Sequence, residues 1–109
     1  MTTDPLGEER VAAQAQIEAL TREFESVVAA SRSSNADDEH DPEGATIAFE
    51  RQQVVALLEQ ARRRLADVEA AIRAVEGGVY GICETCGRPI APERLAARPA
   101  ARTCIDCAR

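Results

Sequence analysis

The chain has 109 residues, a net charge of −6, and only two Phe and one Tyr as aromatics, with no Trp. That length holds one small domain, or a helical element with an appendage, and excludes two compact globular domains. Alanine dominates the apolar residues, which excludes a thick sandwich or barrel core and suits narrow helix–helix contact.

The N-terminus, Met1-Thr-Thr-Asp-Pro, carries no basic stretch followed by an apolar one, so no signal peptide is expected. Nowhere does the chain approach the roughly 18–20 apolar residues that span a bilayer. A cytoplasmic protein is the expectation. Asp4-Pro5 reads as a helix start, with Asp as N-cap and Pro in the first helical position. From there an apolar seam runs Leu6, Ala13, Ile17, Leu20, Phe24, Val27, broken by polar Arg10 and fading at Ser31.

Residues 33–44 hold five acids, no Arg or Lys and no large apolar side chain, the composition of a loop. Asp41-Pro42 then repeats the cap-plus-proline signal. The second seam is Ile47, Arg51, Val54, Leu58, Ala61, Leu65, Val68, Ile72, Val75, every step four or three, with one polar interruption at Arg51. Gly77-Gly78 ends it. Two helices of about 30 residues rise about 45 Å each. Matched seams joined by a short loop predict an antiparallel coiled-coil hairpin over 1–78. A parallel dimer of one long helix is the competing arrangement, and Asp41-Pro42 with Gly44 would break that helix. The expected state is a monomer.

The last segment, 79–109, carries all four cysteines as Cys83-x2-Cys86 and Cys104-x2-Cys107, separated by seventeen residues. Two residues between thiols let one tight turn present both sulfurs to one ion, and Gly87 tolerates the positive φ such a turn needs. Four thiolates satisfy Zn²⁺ completely and leave no open position, so one structural zinc is expected. A disulfide pair and a four-thiolate iron site are the competing readings. A cytosolic setting disfavours the first, and the lack of packing aromatics the second. So short a segment has little burial to hold it, so metal binding should supply much of its folding energy.

Between and around these ligands the sequence runs Tyr80-Gly-Ile-Cys-Glu-Thr-Cys-Gly, Pro92-Glu-Arg-Leu-Ala-Ala-Arg-Pro99 and Cys104-Ile-Asp-Cys-Ala108. This resembles the zinc finger of the DksA/TraR family over almost all of 80–108. The resemblance implies a bacterial transcription regulator that binds RNA polymerase directly, inserts a coiled-coil tip into the secondary channel and modulates initiation. It also implies acidic tip residues near the catalytic Mg²⁺ and, in many members, joint action with ppGpp. Counting back from the finger places His40, Glu43 and Ala45 on the family's tip motif Asp-x-x-Asp-x-Ala, with Asp41 beside them. His40 stands for the first acid and is expected to be exposed rather than a ligand. Of the family's alarmone-contacting positions Arg98 is kept, but Asp67 and Ala108 stand where basic residues are typical. A carboxylate repels a polyphosphate, so weak or absent ppGpp dependence is expected.

Two other classes fit less well. All 13 basic residues are Arg, but the net charge of −6 is wrong for gripping a phosphate backbone. Within 79–109, five Arg against three acids give +2, which the −2 of a zinc tetrathiolate cancels. No direct DNA binding is expected, and Arg62-Arg63-Arg64 reads as a solvated outer face. Nothing resembles an activated nucleophile, a phosphate-cradling glycine loop or an open metal position, so an enzyme is not expected. The alternative to a polymerase regulator is a zinc-stabilised protein-interaction module of the same fold with another partner.

Overall fold

The computed structural model describes residues 4–34 and 42–108, and the side chains of these except 33–34 and 42–44. Among these described residues three helices form: α1 over Pro5–Ser34, α2 over Pro42–Glu76 and the short α3 over Pro92–Ala97. Of the segment read from sequence as a loop, 33–34 and 42–44 are helical, and 35–41 lie outside the described residues. Among the described residues no extended strand forms; one antiparallel bridge joins Ile82 to Pro89.

The start of α1 follows from its sequence. The Asp4 side chain accepts a hydrogen bond from the Gly7 backbone N–H at 3.1 Å, and the Asp4 carbonyl accepts from Glu8 N–H at 3.0 Å. One orphan donor of the first turn is thereby satisfied, and Pro5 sits where a missing N–H costs nothing. At the other end α2 stops where glycine permits a reversal. Gly78 has φ +74°, and Val79 N–H reaches back to the Ala74 carbonyl at 2.9 Å.

α1 and α2 run antiparallel, and the chain divides into two compact units along them. In Gln14–Arg62 the core is Leu20, Val54, Leu58 and Ala61, with Ile17 and Phe24 packed against it. These are the residues the seam patterns select. Buried in this way, each large aliphatic side chain contributes about 1.5–3 kcal/mol relative to exposure.

In the other unit, Met1–Ala13 with Arg63–Arg109, the buried hydrophobic residues are Leu6, Ala13, Val68, Ala71, Cys83 and Ile90. Arg10, the polar step in the first seam, reaches Glu69 of α2 at 3.9 Å. The second seam departs from expectation at its end, where Val75 is 52% exposed and Ala71 is buried instead. Counted from the Arg10–Glu69 pair, Val75 lies beyond the start of α1 at Pro5 and has no helix opposite. Ala71 faces the turn that follows α2, where a groove is lined by Ala70, Ala71, Ala74, Val79, Tyr80 and Ile82 among others.

Candidate metal centre

Two turns deliver the cysteines. In the first, Gly87 N–H donates to the Cys83 carbonyl at 2.9 Å, and Cys83 N–H donates to the Arg88 carbonyl at 2.9 Å. Gly87 has φ +74°, a conformation that costs an L residue about 1–2 kcal/mol, so glycine belongs there. The second turn is closed by Cys107 and Ala108 N–H groups on the Cys104 carbonyl, at 3.1 and 3.0 Å. A backbone bond from Glu84 N–H to the Arg102 carbonyl, 2.9 Å, ties one turn to the other.

All four sulfurs lie within 4.8 Å of one another, and Cys86 Sγ is 3.8 Å from Cys104 Sγ. A tetrahedral ion with Zn–S bonds of about 2.3 Å requires S–S edges of roughly 3.8 Å. A disulfide requires about 2.05 Å, so the geometry is that of ligands and not of bonded sulfurs. Cys83 is buried, Cys104 and Cys107 are partly covered and Cys86 is exposed.

The thiols differ in acidity for identifiable reasons. Cys83 is lowered to about 6, chiefly by the backbone N–H groups of Cys104 and Cys86 directed at its sulfur. Cys86 is lowered by the Arg88 backbone N–H and guanidinium, and that guanidinium is in turn held more firmly protonated by the thiolate. Cys107 is pushed up to about 12, first because its thiol is hydrogen-bonded to Cys104 and then by desolvation. Four convergent sulfurs cannot all ionise against one another, and a divalent cation removes that conflict. The residues therefore fit zinc held by Cys83, Cys86, Cys104 and Cys107. The ion would cross-link the two turns and, with its coordination filled by protein, would not activate water.

The rest of the finger fixes those turns. Tyr80 Oη donates to the Pro99 carbonyl at 2.8 Å, and Arg94 Nε of α3 donates to the Thr103 carbonyl at 2.9 Å. Ile90 is 3% exposed and supplies the finger's buried aliphatic residue. Arg102 Nε faces both Glu84 carboxylate oxygens at 3.0 Å, while its Nη1 reaches Asp67 Oδ1 of α2 at 3.2 Å. These contacts, Glu84 first, hold the guanidinium more firmly protonated than usual.

A scan of family descriptions matches residues 78–109 to the prokaryotic dksA/traR C4-type zinc finger. The chain carries a DksA/TraR zinc finger. It holds one structural zinc on a mainly α scaffold, an antiparallel coiled-coil hairpin followed by a small four-cysteine finger. The uncharacterized protein YteA of Bacillus subtilis (strain 168) is 44% identical over 72 residues, 66% of this chain and 30% of that protein. The RNA polymerase-binding transcription factor DksA of Escherichia coli (strain K12) is 44% identical over 46 residues, 42% of this chain and 30% of DksA. The chain thus spans 30% of the length of these curated relatives. Among solved structures, transcription factor DksA2 from Pseudomonas aeruginosa is similar over 94% of this chain and 79% of that chain, with 26% identity and a TM-score of 0.54.

The other residues singled out by sequence are not among the metal ligands: Arg98 lies between the two cysteine pairs, and the tip residues lie far N-terminal to them along the chain. Arg98 is exposed at the C-terminal cap of α3, its N–H bonded to the Arg94 carbonyl at 2.7 Å. Ala45 is exposed in the first turns of α2, and Glu43 belongs to the first turn of the same helix. His40 and Asp41 fall outside the described residues. Sequence reasoning missed Arg102 and Glu84. Their one available signal was opposite charge flanking the two ligand pairs, which gains meaning only when the turns are placed side by side.

Proposed function

We propose that this chain is a bacterial transcription regulator that binds RNA polymerase directly, working by contact rather than by catalysis. The observation that carries this reading is a DksA/TraR finger on an antiparallel hairpin whose likeness to DksA2 extends over 94% of the chain. In this reading the finger, over 79–109, is a base. The hairpin, over 1–78, delivers its tip into the secondary channel, where the tip modulates initiation. His40, Asp41, Glu43 and Ala45 are the tip residues, and acids there suit a basic channel with bound metal. The protein acts in the cytoplasm as a monomer, without contacting DNA. No helix among the described residues is long and apolar enough to cross a membrane.

Response to ppGpp is weak or absent in this reading. Arg98 is available, but Asp67 brings a carboxylate to a position where the family has a cation, and that carboxylate is paired with Arg102. Arg98-dependent tight binding of ppGpp to the polymerase complex would overturn this part.

The test is a pull-down with purified RNA polymerase followed by a promoter-complex lifetime assay. Wild type should bind and change the lifetime, and the double variant Asp41→Ala, Glu43→Ala should bind yet leave the lifetime unchanged. Failure of wild type to bind polymerase would remove the proposal and leave a zinc-stabilised interaction module with a different partner.

A further inference from the structure

The Arg102 cluster is absorbed neither by the zinc ligands nor by the tip. We propose that Arg102 is a positioning residue that couples the metal centre to α2, so that zinc occupancy and the Asp67 contact reinforce each other. The backbone supplies the first half of the link. Glu84 follows Cys83, Arg102 precedes Cys104 by two positions, and the Glu84 N–H to Arg102 carbonyl bond of 2.9 Å joins them. Drawing both cysteine pairs onto one ion therefore also fixes the main chain of Arg102.

The side chain supplies the second half. With its Nε held by both Glu84 oxygens at 3.0 Å, the guanidinium is aimed so that Nη1 meets Asp67 Oδ1 at 3.2 Å. The side chains of Arg102, Asp67 and Glu84 are 42%, 49% and 51% exposed. An exposed ion pair is weak when both partners must be ordered for it, and stronger when one is already held. Zinc orders Arg102, which makes the Asp67 contact less costly. By thermodynamic reciprocity, the Asp67 contact must then tighten zinc binding by the same factor. Asp67 lies on a helix that contributes no ligand, so it reads the state of a centre it does not touch.

A double-mutant cycle on the full chain tests this, with zinc affinity measured by chelator competition at fixed pH and salt. Asp67→Asn should weaken zinc binding by about two- to fivefold, the size expected of an exposed pair. In an Arg102→Gln background the same substitution should change nothing, and Asp67→Glu should keep most of the wild-type affinity. Amide exchange gives a second readout. Chelation should speed exchange across residues 66–76 in wild type, and zinc-loaded Asp67→Asn should already show part of that increase. The coupling is overturned if Asp67→Asn leaves affinity unchanged, or if its effect is equally large in the Arg102→Gln background. An unchanged exchange rate in chelated wild type would overturn it as well.

Discussion

Asp4 accepts a hydrogen bond from the Gly7 backbone N–H at 3.1 Å, which makes it the N-cap of α1 in structure as well as in sequence. Replacing Asp4 with Ala removes the acceptor and leaves a first-turn donor to water. We expect a loss of about 1 kcal/mol, read as a lower thermal midpoint. Zinc stoichiometry should not change. Asp4→Asn, which keeps the acceptor, should recover most of the loss.

Val68 and Val11 separate buried from surface valines. Val68 is fully buried and Val11 is 66% exposed. Truncating Val68 to Ala deletes packed methyl groups and leaves a void, at a cost of about 2–3 kcal/mol in chemical denaturation. Val11→Ala should fall within about 0.5 kcal/mol of wild type. Equal effects at the two positions would contradict the packing described for α1 and α2.

Metal removal should act on the finger first. Properly folded protein should contain about one zinc per chain by elemental analysis. Chelation should unfold residues 79–108, because this segment has little else to bury, while the Leu20–Leu58 cluster keeps much of the far-UV helical signal. Ser at any one of the four cysteine positions should weaken zinc binding far more than Asp67→Asn does. Folded protein free of zinc would overturn the structural role of the metal.

The pH dependence of zinc binding follows from the unequal thiols. In the metal-free protein at pH 7, Cys83, lowered to about 6, is largely thiolate, whereas Cys107, pushed up to about 12, keeps its proton. Zinc must expel at least that proton, so affinity rises with pH by about tenfold per unit for each proton released. The opposite sign holds for the metal-free fold. The Cys107 contribution is full below its ordinary value of 9.0 and is lost as pH climbs toward 12. Competition titrations at pH 7 and 8 check the first statement, and a zinc affinity independent of pH would contradict it.

Much of the scaffold was legible because local rules govern it. Asp4-Pro5 and Gly77-Gly78 are signals that act within one turn, and the apolar seams select Leu20, Val54 and Leu58 through helical periodicity alone. The seam failed at Val75, since periodicity does not register where the opposite helix begins. The cysteine pairs were legible because spacing limits which sulfurs can share an ion. The triad of Asp67, Glu84 and Arg102 was not, because three distant positions meet only after the finger has folded onto α2. In sequence Asp67 stands out only as a charge in an unexpected place, and its partner supplies the reason.

Tyr80, whose hydroxyl is bonded to the Pro99 carbonyl, is the chain's one tyrosine, and there is no tryptophan. Ultraviolet emission excited near 280 nm therefore originates in the finger alone, while circular dichroism is dominated by α1 and α2. The protein thus carries a built-in optical reporter for one part of itself. Loss of the finger and melting of the helices can be timed separately in a single unlabelled sample.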